Sequence, residues 1–390
     1  MFKPESVATT LSLSMLVALG PLSTDMYLPA LPTMAVEFAS SSGPIQLTLS
    51  LYLAGFALAQ IIYGPLSDRF GRKPVMLAGM AIFIVASVGC ILSTQVGSLI
   101  VMRFLQAAGG AAGPVLARAM VRDIHGTQQS GRVMAQVAAV MALAPTVAPV
   151  AGGLLLAYAG WRSIFVFLVF YAVGATLLLA LKIAESAPAA TRRVRPLSQL
   201  PSAYRRLLTD REFVGYTLAC SLSFSGVFAF ISGSSFVVIE FYGMSPVVYG
   251  LLFGLNVLGF ISGTTYASRT SNRLGVQRLV RLGALICLIA SGLLLVGLSA
   301  PTHIAMTLAP MMLFMAGAGL VMPQSMAGAL MHHPQLAGTA SGLVGFIQMT
   351  VAGLVGVAVG HGHDGSPLVM TLAVSLCGTL TWVVYRYWID

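Results

Sequence analysis

A short charged stretch between two long apolar runs constrains the fold of this chain more than any other feature. The stretch is GPLSDRFGRKP at 64–74, and the runs at 45–63 and 75–93 are each about long enough to cross a hydrocarbon core. Its glycines and its first proline favour a sharp turn. Because it carries three cations and one acid, the positive-inside rule places it on the cytoplasmic side of a membrane.

The composition extends this interpretation to the whole chain. Of the 390 residues 57% are hydrophobic and 8% are charged, and the mean hydropathy is +0.89. This balance excludes a soluble domain and predicts an all-α integral membrane protein, because lipid offers backbone groups no partners and the runs are too long for barrel strands. The net charge of +10 fits orientation in a membrane, and we expect no nucleic-acid partner.

Cysteine and histidine usage gives no sign of a metal or redox centre. All four cysteines, Cys90, Cys220, Cys287 and Cys377, fall inside apolar runs and are interpreted as small core residues. We therefore predict no disulfide, no metal site and no bound cofactor. The chain also lacks the nucleophile, base and orienting group that would together indicate an enzyme.

The apolar runs predict twelve membrane-spanning helices. They lie at about 7–29, 44–65, 74–94, 97–120, 133–157, 161–182, 212–239, 245–267, 279–299, 302–324, 336–360 and 366–386. With both termini in the cytoplasm, the cations outside the spans fall almost entirely in cytoplasmic segments, and the outer loops hold only Arg162. The first run has no small-residue cleavage site, so we expect a retained span and not a signal peptide.

The spans divide six and six around one long connector. We predict an N-terminal bundle at 1–183, a cytoplasmic linker at 184–211 and a C-terminal bundle at 212–390. Residues 198–211 fit either a short amphipathic helix on the membrane surface or a solvated basic linker. The stretch SRTSNRLGVQ at 268–277 lies 204 positions after GPLSDRFGRK and is a weaker copy of it. This copy indicates two pseudo-symmetric halves.

Asp25 is the first candidate for chemistry, because it lies near the outer end of span one. An acid inside a span is costly to charge, so it tends to be protonated, paired or facing a water-filled cavity. Such a group can load and release protons or bind substrate, and neighbouring Tyr27 is a further candidate substrate contact. The alternative is an interfacial acid in a segment broken by Pro29 and Pro32.

Span four carries two arginines that need partners away from lipid. Arg103 lies in the outer half of the membrane, as Asp25 does, so the two side chains are expected to interact across a cavity. The alternative is that Arg103 is a buried donor that binds backbone carbonyls of span one. Arg118 lies 15 residues further and can face the same cavity as a substrate contact, or extend to the inner surface.

Gating residues are expected at the cytoplasmic ends of the helices and in span five. Arg122 and Asp123 end span four and, with Asp68, predict a charge cluster that locks the inner gate. The sequence APTVAPVAGG at 144–153 predicts a kinked helix with close contacts, although a simple packing kink fits as well. The predicted gating set is Gly64, Asp68, Arg69, Gly71, Arg72, Arg122, Asp123, Pro145, Pro149, Gly152 and Gly153.

The second half has no clear charge inside its spans. Its candidate substrate contacts are polar or aromatic: Phe228, Ser232, Asn256, Gln324 and Gln348. Aromatic residues along span seven fit core packing or the wall of a drug pocket. We expect the first half to handle protons and the second to shape an apolar wall.

Four stretches together resemble the twelve-span drug:proton antiporter branch of the major facilitator superfamily. They are the loop at 64–74, the span-four segment from Arg103 to Gly113, the span-five segment at 144–153, and STDMYLPALP at 23–32. The last resembles the bicyclomycin/chloramphenicol (Bcr/CflA) subgroup. Two positions depart from the usual pattern: Ala148 replaces a glycine, and Val17 stands where some drug exporters carry a second acid.

The resemblance implies a major facilitator fold and the export of small amphipathic compounds, driven by inward proton flow and alternating access. It implies that Asp25 is the protonatable acid, that Arg103 takes part in coupling, and that Asp68, Arg122 and Asp123 relay gating. A monomer in the bacterial inner membrane, in contact with lipid and powered by the proton motive force, is expected. The substrate is a small molecule, with protons as the second partner.

Two other functions fit parts of this pattern. A dedicated exporter of an endogenous metabolite, such as a siderophore or an amino-acid derivative, needs few intramembrane acids. A receptor or scaffold that has lost transport would be expected to lack Asp25 and Arg103, and both are present.

Overall fold

The computed structural model describes residues 7–186, 200–299, 303–331, 333 and 336–390, which contain no β-strand. The helices are α1 (Val7–Asp25), α2 (Leu31–Glu37), α3 (Ser42–Phe70), α4 (Arg72–Leu92), α5 (Val96–Gly110), α6 (Ala112–Ala159), α7 (Arg162–Lys182), α8 (Leu200–Thr209), α9 (Arg211–Ser235), α10 (Pro246–Leu274), α11 (Val276–Gly297), α12 (Ala305–Met331), α13 (Ala337–Gly362) and α14 (Leu368–Val384). Short 3₁₀ and π segments at Leu28–Ala30, Phe236–Phe241 and Tyr385–Ile389 complete them. The all-helical prediction is confirmed.

Membrane crossings account for most of these helices. Among the described residues, eleven helical segments are long and apolar enough to span a bilayer, and Leu143–Ala159 is a shorter apolar twelfth. Helix α6 contributes to two crossings. Gly113 packs on the Leu16 carbonyl and Gly152 on the Met26 carbonyl, yet 39 residues of straight helix would measure about 58 Å. The chain therefore reverses direction between these two contacts.

The first and fourth spans are each interrupted, unlike the continuous helices that the sequence predicts. Helix α1 ends at Asp25, and the chain passes through Leu28–Ala30 before α2 begins at Leu31. Pro29 and Pro32 explain the break, because proline cannot donate a helical hydrogen bond. Helices α5 and α6 are separated at Ala111. Asp25 thus lies where the first span loses its regular helix.

The turn in the charged stretch is shorter than predicted. Gly64 and Pro65 lie within α3, which continues to Phe70, and only Gly71 separates α3 from α4. Gly71 has φ 100°, a backbone conformation that is strained for any residue with a side chain. Gly275, 204 positions later, has φ 75° between α10 and α11. Helices α3 and α10 also begin and end 204 positions apart, so the predicted duplication holds at the level of the backbone.

The two halves meet through specific helix pairs. Helix α3 packs along α13, and α10 packs along the last part of α6. We call the end of the bundle that holds Gly71 and Gly275 the charged end, and the end that holds 38–41 and 242–245 the far end. Helix α8 occupies the segment expected to be amphipathic, whereas 187–199 lie outside the described residues. The boundaries at 183 and 212 stay predictions.

Candidate functional site

Arg103 lies at the centre of the first half in an aromatic cage. Its side chain is fully buried, and its guanidinium carbon lies 4.4 Å from the ring centres of both Tyr27 and Tyr52 and 5.9 Å from that of Phe165. The three rings come from the first, second and sixth spans. Delocalised guanidinium charge is stabilised by aromatic faces, which allows the cation to remain in an otherwise apolar core.

Hydrogen bonds fix the orientation of the caged arginine. Its Nη1 donates to the Ser23 carbonyl at 3.0 Å and to Gln106 Oε1 at 2.6 Å, and Gln106 Nε2 donates to Ser87 Oγ at 2.8 Å. Nε and Nη2 of Arg103 have no partner. Three N–H groups of this buried cation, one on Nε and two on Nη2, therefore have no acceptor among the described residues.

Asp25 lies close to this cage but is not paired with it. Its side chain is 5% exposed and makes no hydrogen bond or ion pair within the described residues. It is within electrostatic range of Tyr52 in the first half and of Tyr249 in the second. The expected contact between Asp25 and Arg103 is absent, because Arg103 is held by a carbonyl of the first span, the alternative left open above.

The aromatic and hydroxyl groups around Asp25 are tied to one another. The Ser23 and Tyr52 hydroxyls lie 2.6 Å apart, and those of Tyr27 and Thr48 lie 2.9 Å apart. Tyr27, a predicted substrate contact, is fully buried and forms part of the cage. These bonds leave the Asp25 carboxylate without a hydrogen-bond partner in the described chain, and Nε and Nη2 of the caged arginine also have none.

Arg118 occupies a different environment from Arg103. Its Nε donates to the Pro114 carbonyl at 2.7 Å, one turn earlier on the same helix. Its side chain is exposed, and whether Arg118 faces the cavity or extends to the inner surface stays a prediction.

An ionic cluster joins three helices at the charged end. Arg72 Nη1 lies 2.5 Å from Asp68 Oδ1, and Arg72 Nε donates to Asp123 Oδ2 at 3.1 Å. The sequence predicted Arg122 as the cation of this cluster. Arg122 is exposed and has no hydrogen bond or ion pair in the described chain, so Arg72 takes its place. Arg69, also exposed, stacks on Phe70 at 5.3 Å.

A reciprocal pair of caps links α4 to the end of α7. Glu185 accepts hydrogen bonds from the backbone N–H groups of Arg72 and Lys73, at 3.0 and 3.1 Å. Lys73 Nζ donates to the carbonyls of Ala180 and Ile183, at 2.8 and 2.7 Å. The acid thus neutralises a helix N-terminus and the cation a C-terminus, as helix dipoles favour. Sequence reasoning missed Glu185, although an acid just after a span is a visible signal.

The span-five segment forms part of the contact between the halves. Gly152 packs on Met26, and Gly153 packs on the carbonyl of Pro246 in α10. Gly250 in turn faces the carbonyl of Pro149. Pro145 and Pro149 both lie within the helical bounds of α6. The close contacts expected of this segment are present, and they join α6 to α10.

Several polar candidates of the second half lie at or near the same contact. Ser232 Oγ donates to Gln46 Oε1 of α3 at 2.8 Å, and Phe228 is buried against Gly356. Asn256 Nδ2 donates to the Leu252 carbonyl, while its Oδ1 has no partner. The two remaining candidates, Gln324 and Gln348, are 8% and 7% exposed and make no side-chain hydrogen bond in the described chain. Gln46 and Gln106 were not predicted, since neutral amides leave no charge signal.

A cleft of about 500 Å³ opens at the far end between the halves. The span-one connector supplies Ala39 and Ser40, and the second half supplies Glu240 and His363. Burial lowers the pKa of His363 more than the neighbouring Glu240 and Asp364 raise it. Within the described residues, no three histidine, cysteine or acidic side chains come together as metal ligands.

Duplicated six-helix halves around a buried cation and an unpaired acid define a polytopic membrane transporter and not an enzyme. The chain belongs to the Major Facilitator Superfamily, whose family model matches residues 13–357. It is 34% identical to "Uncharacterized MFS-type transporter YdgK" of Bacillus subtilis (strain 168), over 91% of this chain and 89% of that protein.

Two further relatives carry names that refer to resistance. The chain is 30% identical to "Bicyclomycin resistance protein homolog" of Haemophilus influenzae, over 97% of this chain and 95% of that protein. It is also 30% identical to "Multidrug resistance protein D" of Escherichia coli (strain K12), with coverages of 98% and 97%. The solved structure of a D-xylose–proton symporter matches with a TM-score of 0.78 at 15% identity, over 98% of each chain, which establishes the fold alone.

Proposed function

We propose that this protein exports small amphipathic drugs or drug-like compounds in exchange for protons, by alternating access. The names of the resistance relatives support drug export. The observation that carries the proton-coupled part is the Asp25 carboxylate, which is almost fully buried, unpaired and within electrostatic range of tyrosines from both halves. The protein acts as a monomer, with protons and a small molecule as its two substrates.

The mechanism follows from the cost of an unpaired charge. An ionised carboxylate without a partner is strongly disfavoured in a dry interior, so charging Asp25 favours a state in which water or substrate reaches it. Protonation removes that demand and favours the closed arrangement. Tyr52 belongs to the first half and Tyr249 to the second, so a change in the charge of Asp25 alters the electrostatic interaction of this residue with both halves.

The orientation is part of the proposal. The charged end lies in the cytoplasm of the bacterial inner membrane, together with both termini. Arg72 and Lys73 at the α3–α4 turn and Arg273 and Arg278 at the α10–α11 turn support it through the positive-inside rule. The far end then opens to the outside, and lipid surrounds the bundle.

Replacing Asp25 by asparagine tests the assignment. Asp25→Asn keeps the size and polarity of the side chain but cannot exchange a proton, so it should abolish efflux driven by a pH gradient. Equilibrium binding of a neutral drug should stay measurable. Efflux from drug-loaded vesicles with an imposed pH gradient gives the first readout, and binding in detergent gives the second.

Glu240→Gln is the matched control, since Glu240 is an exposed acid at the far end. It should transport at the wild-type rate. Full proton-driven efflux by Asp25→Asn would show that this carboxylate does not couple transport to protons.

A further inference from the structure

At the far end the two halves approach each other more closely than side chains normally allow. Gly360 and Gly356 of α13 face Gln46 and Ser50 of α3, and a Cβ at Gly356 would lie 2.7 Å from Ser50 Oγ. Gly353 continues this contact, since a Cβ there would lie 3.3 Å from the Ser50 carbonyl oxygen. Glycine therefore permits this close approach of α3 and α13.

One side-chain hydrogen bond crosses between the halves within the described residues. Ser232 Oγ of α9 donates to Gln46 Oε1 of α3 at 2.8 Å, and both side chains are fully buried. Among the described residues, no other side-chain hydrogen bond or ion pair links the two halves at the far end. The polar attraction that holds the far end shut is thus concentrated in this pair.

Two polar atoms beside that bond have no partner. Gln46 Nε2 and Ser50 Oγ are buried and unpaired. The residues lie four positions apart on α3, hence on the same face of the helix, and both lie against the α13 glycines. A buried donor without an acceptor costs free energy that it does not cost when water reaches it. Closure of the far end is therefore opposed by these two groups.

We propose that Ser232, Gln46 and Ser50 act as positioning residues that set how readily the far end opens. The Ser232–Gln46 bond favours the closed state, and the unpaired groups of Gln46 and Ser50 favour the open state, in which water satisfies them. This inference rests on the proposed function, because it takes the far end as the outer gate of a transporter that must open in every cycle. The opposing contributions keep that gate closed and still able to open.

A pair of identical substitutions with opposite expected effects tests the proposal. Ser232→Ala removes the bond and should increase opening about threefold to tenfold, the usual range for one hydrogen bond. Ser50→Ala removes an unpaired hydroxyl and should decrease opening by a similar factor or more. A general loss of packing would shift both variants in the same direction.

Opening is measured with a cysteine reporter at Ser235, one turn from Ser232 and fully buried. Ser235→Cys is nearly isosteric, and the four native cysteines are buried, so background labelling is low. The rate of labelling by a membrane-impermeant maleimide, added outside intact cells, reports the open fraction. Size-exclusion elution of each variant confirms folding.

Ser225→Ala is the control, because the Ser225 hydroxyl is buried but bonds to the Ser221 carbonyl of its own helix. It should leave the labelling rate unchanged. Shifts of the same sign in Ser232→Ala and Ser50→Ala, or no shift in either, would overturn the proposal. The labelling needs neither drug nor pH gradient, so failure of Asp25→Asn to block efflux would refute proton coupling while leaving this result interpretable.

Discussion

At the scale of single residues, the caged arginine has the most specific requirements. The Arg103 guanidinium is planar, its charge is delocalised, and it lies against the rings of Tyr27 and Tyr52. Lysine is a compact, strongly hydrated point charge that cannot stack in the same way. We expect Arg103→Lys to lower the free energy of unfolding by about 2 kcal/mol, from lost stacking and the lost bond to Ser23. It should also abolish drug export; thermal unfolding in detergent and vesicle efflux measure the two effects.

Arg122→Lys is the matched control, since Arg122 is exposed and has no partner in the described chain. It should behave as wild type in both assays. Equal loss of stability in the two variants would show that the cage does not discriminate between cations.

Sequence reasoning identified Asp25 and Arg103 but not their environment. An acid and an arginine inside spans are visible because charge there is rare. The cage consists of Tyr27, Tyr52 and Phe165, which lie up to 138 positions apart, so no local pattern brings them together. The expected ion pair was wrong for this reason: aromatic faces and a backbone carbonyl hold Arg103 in place of the acid.

At the scale of helices, end caps decide where elements begin. Asp210 caps α9 by accepting from the N–H groups of Glu212 and Phe213, and it also lies 2.7 Å from His333 Nε2. Partial burial raises the pKa of Asp210, but hydrogen bonds from His333, Phe213 and Glu212 outweigh it, and the pKa is lowered overall. The resulting stabilisation is present above the ordinary carboxyl pKa, near 4. This stabilisation is lost as the pH falls through the lower pKa that Asp210 has in the folded protein.

This pair gives a prediction for pH. Asp210→Asn keeps a good N-cap but loses the charge opposite His333. At pH 7 the variant should be less stable by about 1 kcal/mol or less, because the pair is partly exposed. The difference should shrink toward zero below about pH 4. Melting temperatures between pH 7 and 3 test it with Glu240→Gln as control, and a difference as large at pH 3 as at pH 7 contradicts it.

The length of the charged turn shows what an apolar pattern can and cannot predict. The stretch at 64–74 contains the predicted turn, which is made by Gly71, a residue type that tolerates a positive φ. Helix α3 nevertheless continues to Phe70, seven residues past the end of the apolar run at 45–63. Hydropathy reports where lipid ends, whereas a helix ends only where its backbone hydrogen bonds stop. A boundary taken from hydropathy therefore falls short of the true end of α3.

At the scale of the whole molecule, the duplicated halves share a backbone but not a charge pattern. Lys73 donates to the Ile183 carbonyl at the end of the first half, and Gln277, 204 positions later, donates to the Ile389 carbonyl at the end of the second. Asp68 and Arg72, however, correspond to Asn272 and Val276. The ionic cluster of the charged end thus belongs to the first half. The duplication was predicted from the constant separation of 204 positions between the two loop sequences, and not from shared charges.

Which helices of the two halves touch was beyond the sequence, because the contact relies on glycines facing backbone atoms. Gly250 of α10 is the clearest case: a Cβ there would lie 2.7 Å from the Pro149 oxygen and 2.8 Å from its carbonyl carbon. Backbone atoms of α6 cannot rotate away as a side chain can. Any side chain at position 250 must therefore push α10 away from α6 and, with it, one half from the other.

This geometry predicts the effect of the smallest possible enlargement. Gly250→Ala should disfavour the closed far end by about 1–3 kcal/mol, the usual cost of overpacking, which corresponds to a shift of about fivefold to 150-fold toward the open state. Export should slow while labelling of the Ser235→Cys reporter from outside increases. Gly292→Ala, where a Cβ meets nothing within 4 Å, should leave both unchanged. Normal export and labelling in Gly250→Ala would mean that α6 and α10 need not meet for transport, since the two helices cannot accommodate that methyl group and keep this contact.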